Sequence, residues 1–422
     1  MKLQTPIAIS RHPPIKIGQI QVIESPTMFE ILKKAPADKI FALMGEYRED
    51  PRKEKTDLGI GVYKNPTGET PIMSAVKKAE KRIFDAAKTK TYIGVSGNRG
   101  FCDGITDLIF GGSIDKSRVS SVQAPGGTGS LWVLLQLINR AHAGGKIWMS
   151  DPSWPNHWPM CESAGLTPHL YPYFDAETGG IKFDEMIACL DKLGPKDTVL
   201  LHACCHNPTG ANLTNDQWDQ VAASLKKTGA FPLIDLAYLG FGGGLEEDAY
   251  APRKLAAELP EITVAFSASK NFGLYRERAG CAICIAKDKT DAEISYSQMT
   301  NIIRTSYSQP PDHGAEIVRV ILTDPELRAE WEKELTEMRE RMVRLRQKLA
   351  DAIRKLSNST DFDFVAQHRG MFSLLGLDKD QVEHLKVEKG VYMIDDSRIN
   401  VAGIPEDRVE ELAEALLSAI RT

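Results

Sequence analysis

The stretch Ser267-Ala268-Ser269-Lys270-Asn271-Phe272-Gly273-Leu274-Tyr275-Arg276-Glu277-Arg278-Ala279-Gly280 decides the fold of this chain. It follows the apolar and β-branched run 262–266, which predicts a strand that ends in this turn. The turn carries a single lysine, Lys270, between two serines and ahead of Arg278. An amine among such donors is typical of a Schiff-base lysine beside a phosphate site, and the alternative is a surface lysine at a strand end.

The region from about residue 100 to residue 290 repeats a pattern of strand, turn and helix. This pattern predicts an α/β fold with a mostly parallel sheet covered by helices on both faces. Five of its predicted strands end at unusual groups, which are Gly126-Gly127-Thr128-Gly129, Trp154, Asn207, Asp235 and Lys270. Because open α/β sheets bind ligands at the carboxyl ends of their strands, we expect these groups to share one site.

Each of these groups also has a plainer interpretation. The glycine turn opens a predicted helix, so its free N–H groups could hold a phosphate, although glycines are common at helix starts. Trp154, held between two prolines, could be an aromatic plate or an ordinary core residue. Asp235 closes a hydrophobic strand and therefore needs a cationic partner.

Metal binding is not predicted. His202 and His206 lie near two cysteines, but the strand pattern and the absence of nearby carboxylates favour core or supporting histidines. Cys281 and Cys284 have the spacing of a zinc knuckle without a second pair, and they lie in an apolar run that predicts a buried strand.

Composition limits the function classes. The chain has 422 residues and a net charge of -5 from 52 basic and 57 acidic residues, which leaves no basic excess for a nucleic acid partner. No apolar run of membrane-spanning length occurs. The seven scattered cysteines are expected to be free thiols in a reducing compartment.

The N-terminal segment gives two predictions of location. Its early basic residues, with no acidic residue before Glu24, favour a mitochondrial transit peptide, whereas Pro6, Pro13 and Pro14 interrupt the helix that such a peptide forms. We therefore expect the cytoplasm, with the mitochondrion as the alternative. Farther along, the spacing of Leu327, Trp331 and later apolar residues predicts one long amphipathic helix.

The motifs, taken together, resemble the class I pyridoxal-phosphate-dependent aminotransferases, most closely the aspartate and aromatic subgroup. The resemblance runs from residue 28 onward through LGIGVY (58–63), TYIG (91–94), APGGTG (124–129), DPSWPNH (151–157), CCHNPTG (204–210), DLAY (235–238), SQPP (308–311) and RINVAG (398–403), besides the lysine stretch. It implies fold type I, with an arm at 1–27, a small domain at 28–70 and 337–422, and a large cofactor-binding domain at 71–336.

The resemblance also implies roles for the residues around the cofactor, pyridoxal 5'-phosphate. Lys270 would hold the cofactor covalently and carry a proton, and Asp235 would meet the ring nitrogen with support from His157 and His202. The remaining cofactor-binding residues would be Tyr92 from the other subunit, Gly127, Thr128, Trp154, Asn207, Tyr238, Ser267, Ser269 and Arg278.

For the substrate, the resemblance implies that Arg398 binds the α-carboxylate with help from Gly61, Trp154 and Asn207. Arg304 would reach from the partner subunit of a homodimer toward a dicarboxylate side chain. The expected reaction is amino transfer from L-aspartate to 2-oxoglutarate, which gives oxaloacetate and L-glutamate. The alternatives are an aromatic or broad-specificity aminotransferase and a noncatalytic α/β binding protein.

Overall fold

The computed structural model describes residues 27–34 and 39–420. Residues 27–34 contain a short turn at 28–31 and belong to a unit separate from the rest of the chain. The predicted N-terminal arm and the two predictions of location that rest on residues 1–26 lie outside the described residues.

A seven-stranded sheet forms the centre of the main unit, with the strand order β2-β8-β7-β6-β5-β3-β4. Two further two-stranded sheets pair β1 with β10 and β9 with β11. The strands are β1 Thr56–Asp57, β2 Val119–Pro125, β3 Lys146–Asp151, β4 Thr167–Pro172, β5 Asp197–His202, β6 Phe231–Leu236, β7 Ile262–Ser267, β8 Ala279–Ile285, β9 Phe372–Leu374, β10 Val391–Tyr392 and β11 Arg398–Asn400.

The direction of the strands brings the predicted groups to one edge of the sheet. Strands β3 to β7 pair in parallel, while β8 runs antiparallel to both β2 and β7. Strand β2 therefore points the same way as β7, and the carboxyl ends of six strands share one edge, five of which carry the predicted groups. Because β8 is reversed, its first residue returns to that edge directly after Arg278. The prediction of a mostly parallel sheet is confirmed.

Helices cover the sheet and build the outer parts of the molecule. They are α1 Lys39–Glu49, α2 Ser74–Ala86, α3 Arg99–Phe110, α4 Gly126–Ala141, α5 His157–Ser163, α6 Phe183–Leu190, α7 Asn215–Thr228, α8 Leu245–Asp248, α9 Tyr250–Glu258, α10 Lys289–Ser306, α11 His313–Thr323, α12 Pro325–Ser357, α13 Phe364–Gln367, α14 Lys379–Lys389 and α15 Val409–Ile420. Among the described residues, none of these helices is both long and apolar enough to cross a membrane.

The long helix α12 confirms the prediction made from its apolar spacing. Asp324 caps its start by accepting the backbone N–H groups of Glu326 and Leu327, and Pro325 occupies the first turn, where its missing N–H has no cost. Its side chains enter two cores. Trp331 belongs to a large core around the sheet, whereas Leu345 joins a second core made of Leu58 and residues between 345 and 419. The predicted domain boundaries stay a prediction.

Candidate active site

A cavity of about 490 Å³ lies at the sheet edge where the five strands end. Most of the residues predicted from the sequence line it, which are Gly61, Gly127, Thr128, Trp154, Asn207, Asp235, Tyr238, Ser267, Ser269, Lys270, Arg278 and Arg398. His202, predicted as a supporting residue, also reaches this cavity. Groups that are far apart in sequence thus meet in a single cavity.

Lys270 follows β7 and enters the cavity as a weakened base. Its Nζ donates a hydrogen bond to the Gly61 carbonyl at 2.7 Å and lies 5.0 Å from the Tyr275 ring centroid. Burial, together with the positive charges of Arg398 and Arg278, lowers the pKa of this amine to about 8. An amine so tuned reaches its neutral, nucleophilic form close to physiological pH.

The start of α4 forms an anion cradle. A Cβ at Gly126 would collide with the Arg278 guanidinium, and one at Gly127 would lie 3.0 Å from the Ser267 Cβ, so this turn admits no larger residue. The Ser267 and Ser269 hydroxyls are 3.1 Å apart. Free helix N–H groups, two hydroxyls and a guanidinium are the donors that a phosphate needs.

A directed chain of hydrogen bonds reaches Asp235 from behind the cavity. The backbone N–H of Asn207 donates to Nδ1 of His202, so this histidine, whose pKa burial lowers to about 3, carries its proton on Nε2. That proton is donated to Ser153 Oγ, and the Ser153 hydroxyl then donates to His157 Nδ1 at 2.8 Å. His157 Nε2 therefore donates to the Asp235 carboxylate at 3.0 Å.

The predicted supporting roles of His157 and His202 thus have a geometric basis in this chain of bonds. His157 and His202 both stand behind the carboxylate, with their rings 5.1 Å apart. No lysine or arginine pairs with Asp235 in the described part of the chain. The carboxylate at the cavity wall accordingly has the capacity to accept a bond from a protonated ring nitrogen.

Aromatic and amide groups complete the walls. Trp154 makes an edge contact with His157, with centroids 5.2 Å apart. Tyr238 is buried, and burial raises the pKa of its hydroxyl, so the group remains a hydrogen-bond donor at neutral pH. Asn207 presents its side chain to the cavity beside Arg398, from which its Oδ1 accepts at 3.4 Å.

Arg398 starts β11 and is held with unused hydrogen-bonding capacity. One Nη bonds to Asn207 and the other donates to the Gly59 carbonyl at 3.2 Å, while the buried Nε has no partner. Its guanidinium carbon lies 4.4 Å from the Phe372 ring centroid. A buried guanidinium with a free donor and no carboxylate partner in the described structure is suited to bind a ligand carboxylate.

Two predicted residues do not reach this cavity. Tyr92 has 87% of its surface exposed and lines a different surface depression. Arg304 is also exposed, and its Nη1 donates to Ser308 Oγ at 2.7 Å. Both had been predicted to act in the site of a partner subunit.

The sequence analysis missed several lining residues. Tyr275 lies within the opening lysine stretch, and its hydroxyl accepts the backbone N–H of Tyr63 at 2.8 Å. Phe372 lies between two glycines in a short apolar strand, a pattern that gives no sign of a site. Met44 and Val62 line the mouth, and nothing in their spacing distinguishes them from core residues.

The cavity thus brings together a cradle of anion donors, a carboxylate, a buried guanidinium and a lysine of lowered pKa. In agreement with it, the family model for aminotransferase class I and II matches residues 53–416. The chain belongs to this family, and it is a pyridoxal-phosphate-dependent transaminase.

Individual relatives carry two different activities in their names. The chain is 50% identical over 386 residues to an aromatic-amino-acid aminotransferase of Paracoccus denitrificans, covering 92% of this chain and 98% of the relative. It is 44% identical over 396 residues to an aspartate aminotransferase of Escherichia coli, covering 93% and 100%. A solved aromatic-amino-acid aminotransferase of Burkholderia pseudomallei, covalently bound to pyridoxal phosphate, superimposes with a TM-score of 0.91 at 39% identity, covering 93% of this chain and 100% of that one.

Proposed function

We propose that this enzyme is an aromatic or broad-specificity amino acid aminotransferase that uses 2-oxoglutarate as the amino acceptor. The similarity to the Paracoccus denitrificans aromatic enzyme carries this proposal, since 50% of 386 residues are identical. The apolar side chains of Met44, Ile60 and Val62 at the cavity support it, because they could accommodate an aromatic side chain. The comparisons favour this alternative over the aspartate reaction expected first.

In this proposal the cofactor is held at the sheet edge by residues whose donors fit it. Gly127, Thr128, Ser267, Ser269 and Arg278 bind the phosphate, and this role is supported by the glycine cradle and the paired hydroxyls.

The ring of the cofactor meets a second group of residues. Asp235 would bind the ring nitrogen, Tyr238 and Asn207 would bind the ring hydroxyl, and Trp154 would pack on the ring. The bound cofactor supplies an electron sink for the pair of electrons left when the substrate α-carbon loses its proton. The chain from His202 to Asp235 supports this arrangement because its hydrogen bond from His157 holds the carboxylate in a fixed orientation.

The chain's own groups then perform the transfer. Arg398, with Gly61 and Asn207 beside it, binds the substrate carboxylate and orients the α-carbon. Lys270 carries the proton to and from that carbon, a role that its pKa of about 8 supports. The cycle has two halves, in which one amino acid leaves its amino group on the enzyme and a 2-oxo acid removes it.

A donor profile tests the substrate proposal. The purified holoenzyme is assayed with 2-oxoglutarate and with phenylalanine, tyrosine or aspartate as donors. We expect kcat/KM for at least one aromatic donor to equal or exceed the value for aspartate. An aspartate preference of about tenfold or more over both aromatic donors would instead support the aspartate aminotransferase, the second candidate. The similarity to the Escherichia coli enzyme favours that candidate.

We also infer that the enzyme is a homodimer with shared active sites. The exposed positions of Tyr92 and Arg304, outside the cavity that their predicted roles require, support this inference. The Phe84 side chain, 82% exposed near the end of α2, adds apolar surface on the same segment as Tyr92.

Mixed dimers test the shared site. Neither a Tyr92→Ala/Arg304→Ala double variant nor a Lys270→Ala variant should be active alone. Co-expression should restore about a quarter of the wild-type activity, because half of the dimers are mixed and each has one native site. Recovery no greater than the sum of the two separate activities would refute shared sites.

For location, we propose the cytoplasm. The free state of all seven cysteines supports a reducing compartment. The bacterial relatives give no support to the mitochondrial alternative.

A further inference from the structure

Two arginines of α12, Arg341 and Arg346, are buried without a carboxylate partner in the described structure. Arg346 is 1% exposed and has no part in the cavity wall. Burying a guanidinium without a counter-charge costs stability, whereas a methionine would fill similar space at little cost. The hydrogen-bond partners of Arg346 indicate the role of its buried charge.

Arg346 gathers acceptors from one short stretch, residues 365–373. One Nη donates to the Ser373 hydroxyl at 2.6 Å and to the Val365 carbonyl at 3.1 Å. The other donates to the carbonyls of Gly370 at 2.9 Å and Phe372 at 2.6 Å. A rigid, planar fork therefore fixes the Gly370–Met371 and Phe372–Ser373 peptide groups.

The same stretch is also held against two loops of the sheet region, around Gly179 and Gly210. Because Ser373 accepts from Arg346, its own proton is donated to His368 Nδ1 at 3.0 Å. Burial lowers the pKa of His368 to about 4, and this neutral ring donates from Nε2 to the Gly179 carbonyl at 2.8 Å. A Cβ at Gly210 would collide with the Phe372 carbonyl oxygen, so the backbones are in close contact there.

The ring of Phe372 is the part that reaches the substrate site. Its centroid lies 4.4 Å from the Arg398 guanidinium carbon, and a Cβ at Gly61 would lie 3.2 Å from its Cζ. The Phe372 ring therefore packs between the Gly61 backbone and the Arg398 guanidinium, and it limits the orientations that this guanidinium can adopt.

We propose that Arg346 is a positioning residue for substrate recognition, which acts through Phe372 to orient the Arg398 guanidinium toward the carboxylate of the substrate. This inference rests on the proposed carboxylate-binding role of Arg398. Arg346 touches neither the cavity nor Arg398, so its effect must pass through the 370–373 backbone.

The test measures the affinity of the holoenzyme for 3-phenylpropionate, an unreactive carboxylate, by titration of the cofactor absorbance. Arg346→Met and Phe372→Leu should each raise Kd about tenfold. The double variant should also raise Kd about tenfold, because both changes remove the same interaction, by which Phe372 orients Arg398. An approximately hundredfold rise in the double variant, or an unchanged Kd in Arg346→Met, would overturn the proposal.

Matched variants distinguish a positioning role of Arg346 from a general destabilisation of the fold. Arg341→Met removes the other buried guanidinium, which donates to the carbonyls of Lys64, Ala402 and Ile404, and should change Kd less than about twofold. Cofactor affinity should stay within about twofold of wild type in the Arg346 variant. A comparable loss in Arg341→Met, or a parallel loss of cofactor affinity, would show general destabilisation and overturn the proposal.

Two further variants keep the test decisive. If Arg346→Met does not fold, Ser373→Ala removes one acceptor of Arg346 together with the donor to His368 and should raise Kd about threefold, and an unchanged Kd would refute the proposal. In Arg398→Lys, Kd should rise by about tenfold or more. If Kd is unchanged there, the proposed role of Arg398 itself is wrong, and this outcome is distinct from a failure of the Arg346 variants alone.

Discussion

Replacing Lys270 by methionine is predicted to stabilise the cofactor-free protein at neutral pH. Burial lowers the pKa of this amine from 10.5 to about 8, so holding it charged in the fold costs about 3 kcal/mol. Because the amine partly faces the cavity water, we expect the cost of holding it charged to be smaller, roughly 2 kcal/mol. Methionine also loses the hydrogen bond to Gly61, worth about 1 kcal/mol, which leaves a net gain of about 1 kcal/mol.

The sign of the stability difference between Lys270→Met and wild type depends on pH. Below about pH 8 the amine is protonated in both the folded and the unfolded protein, and the folded state bears the full cost. Between about 8 and 10.5 the folded protein binds fewer protons than the unfolded protein, so wild-type stability rises with pH. The advantage of Lys270→Met should therefore shrink through this window and reverse at its upper end.

Urea unfolding of the cofactor-free proteins at pH 7 and pH 10 measures both effects. Lys270→Arg is the matched control, because arginine stays charged at both pH values and should therefore lack the rise in stability that Lys270 gives the wild type between pH 7 and pH 10. A Lys270→Met variant less stable than wild type at pH 7, by a margin that does not change at pH 10, would refute the reasoning.

Other perturbations address the remaining groups of the site. Asp235→Asn removes the charged partner of the ring nitrogen and should lower kcat by about a hundredfold or more, and spectrophotometric turnover at the wild-type rate would contradict this role. Ser153→Ala breaks the bond that directs His157, so the pH profile of kcat should change shape while cofactor affinity, measured by absorbance titration, stays nearly the same. Arg304→Leu should raise KM for 2-oxoglutarate more than KM for phenylalanine in steady-state assays, and an equal rise for both would argue against contact with a second carboxylate.

The sequence predicted the part of the site that depends on strand ends. Asp235 lies near the end of an apolar strand, Asn207 and Lys270 follow two others, and the parallel arrangement alone brings such residues together. Arg278 reaches the same edge because β8 is reversed, a feature that the linear pattern does not contain.

Other features depend on tertiary packing and could not be predicted in this way. Phe372 is an ordinary strand residue by pattern, and only its contact with Arg398 distinguishes it. Arg346 occupies a position of α12 where a charge is unexpected in a buried face. The tautomers of His157 and His202 follow from a chain of donors that begins at a backbone amide, which no spacing of residues reveals.

The most direct test of the account is to identify the lysine that holds the cofactor. Borohydride reduction of the purified holoenzyme, followed by proteolysis and mass spectrometry, should place the reduced cofactor on the peptide that contains Lys270. Treatment with an excess of phenylalanine before reduction should abolish this modification, because the donor releases the lysine. A cofactor reduced onto another lysine, or a Lys270→Ala variant with near-native turnover, would contradict the account.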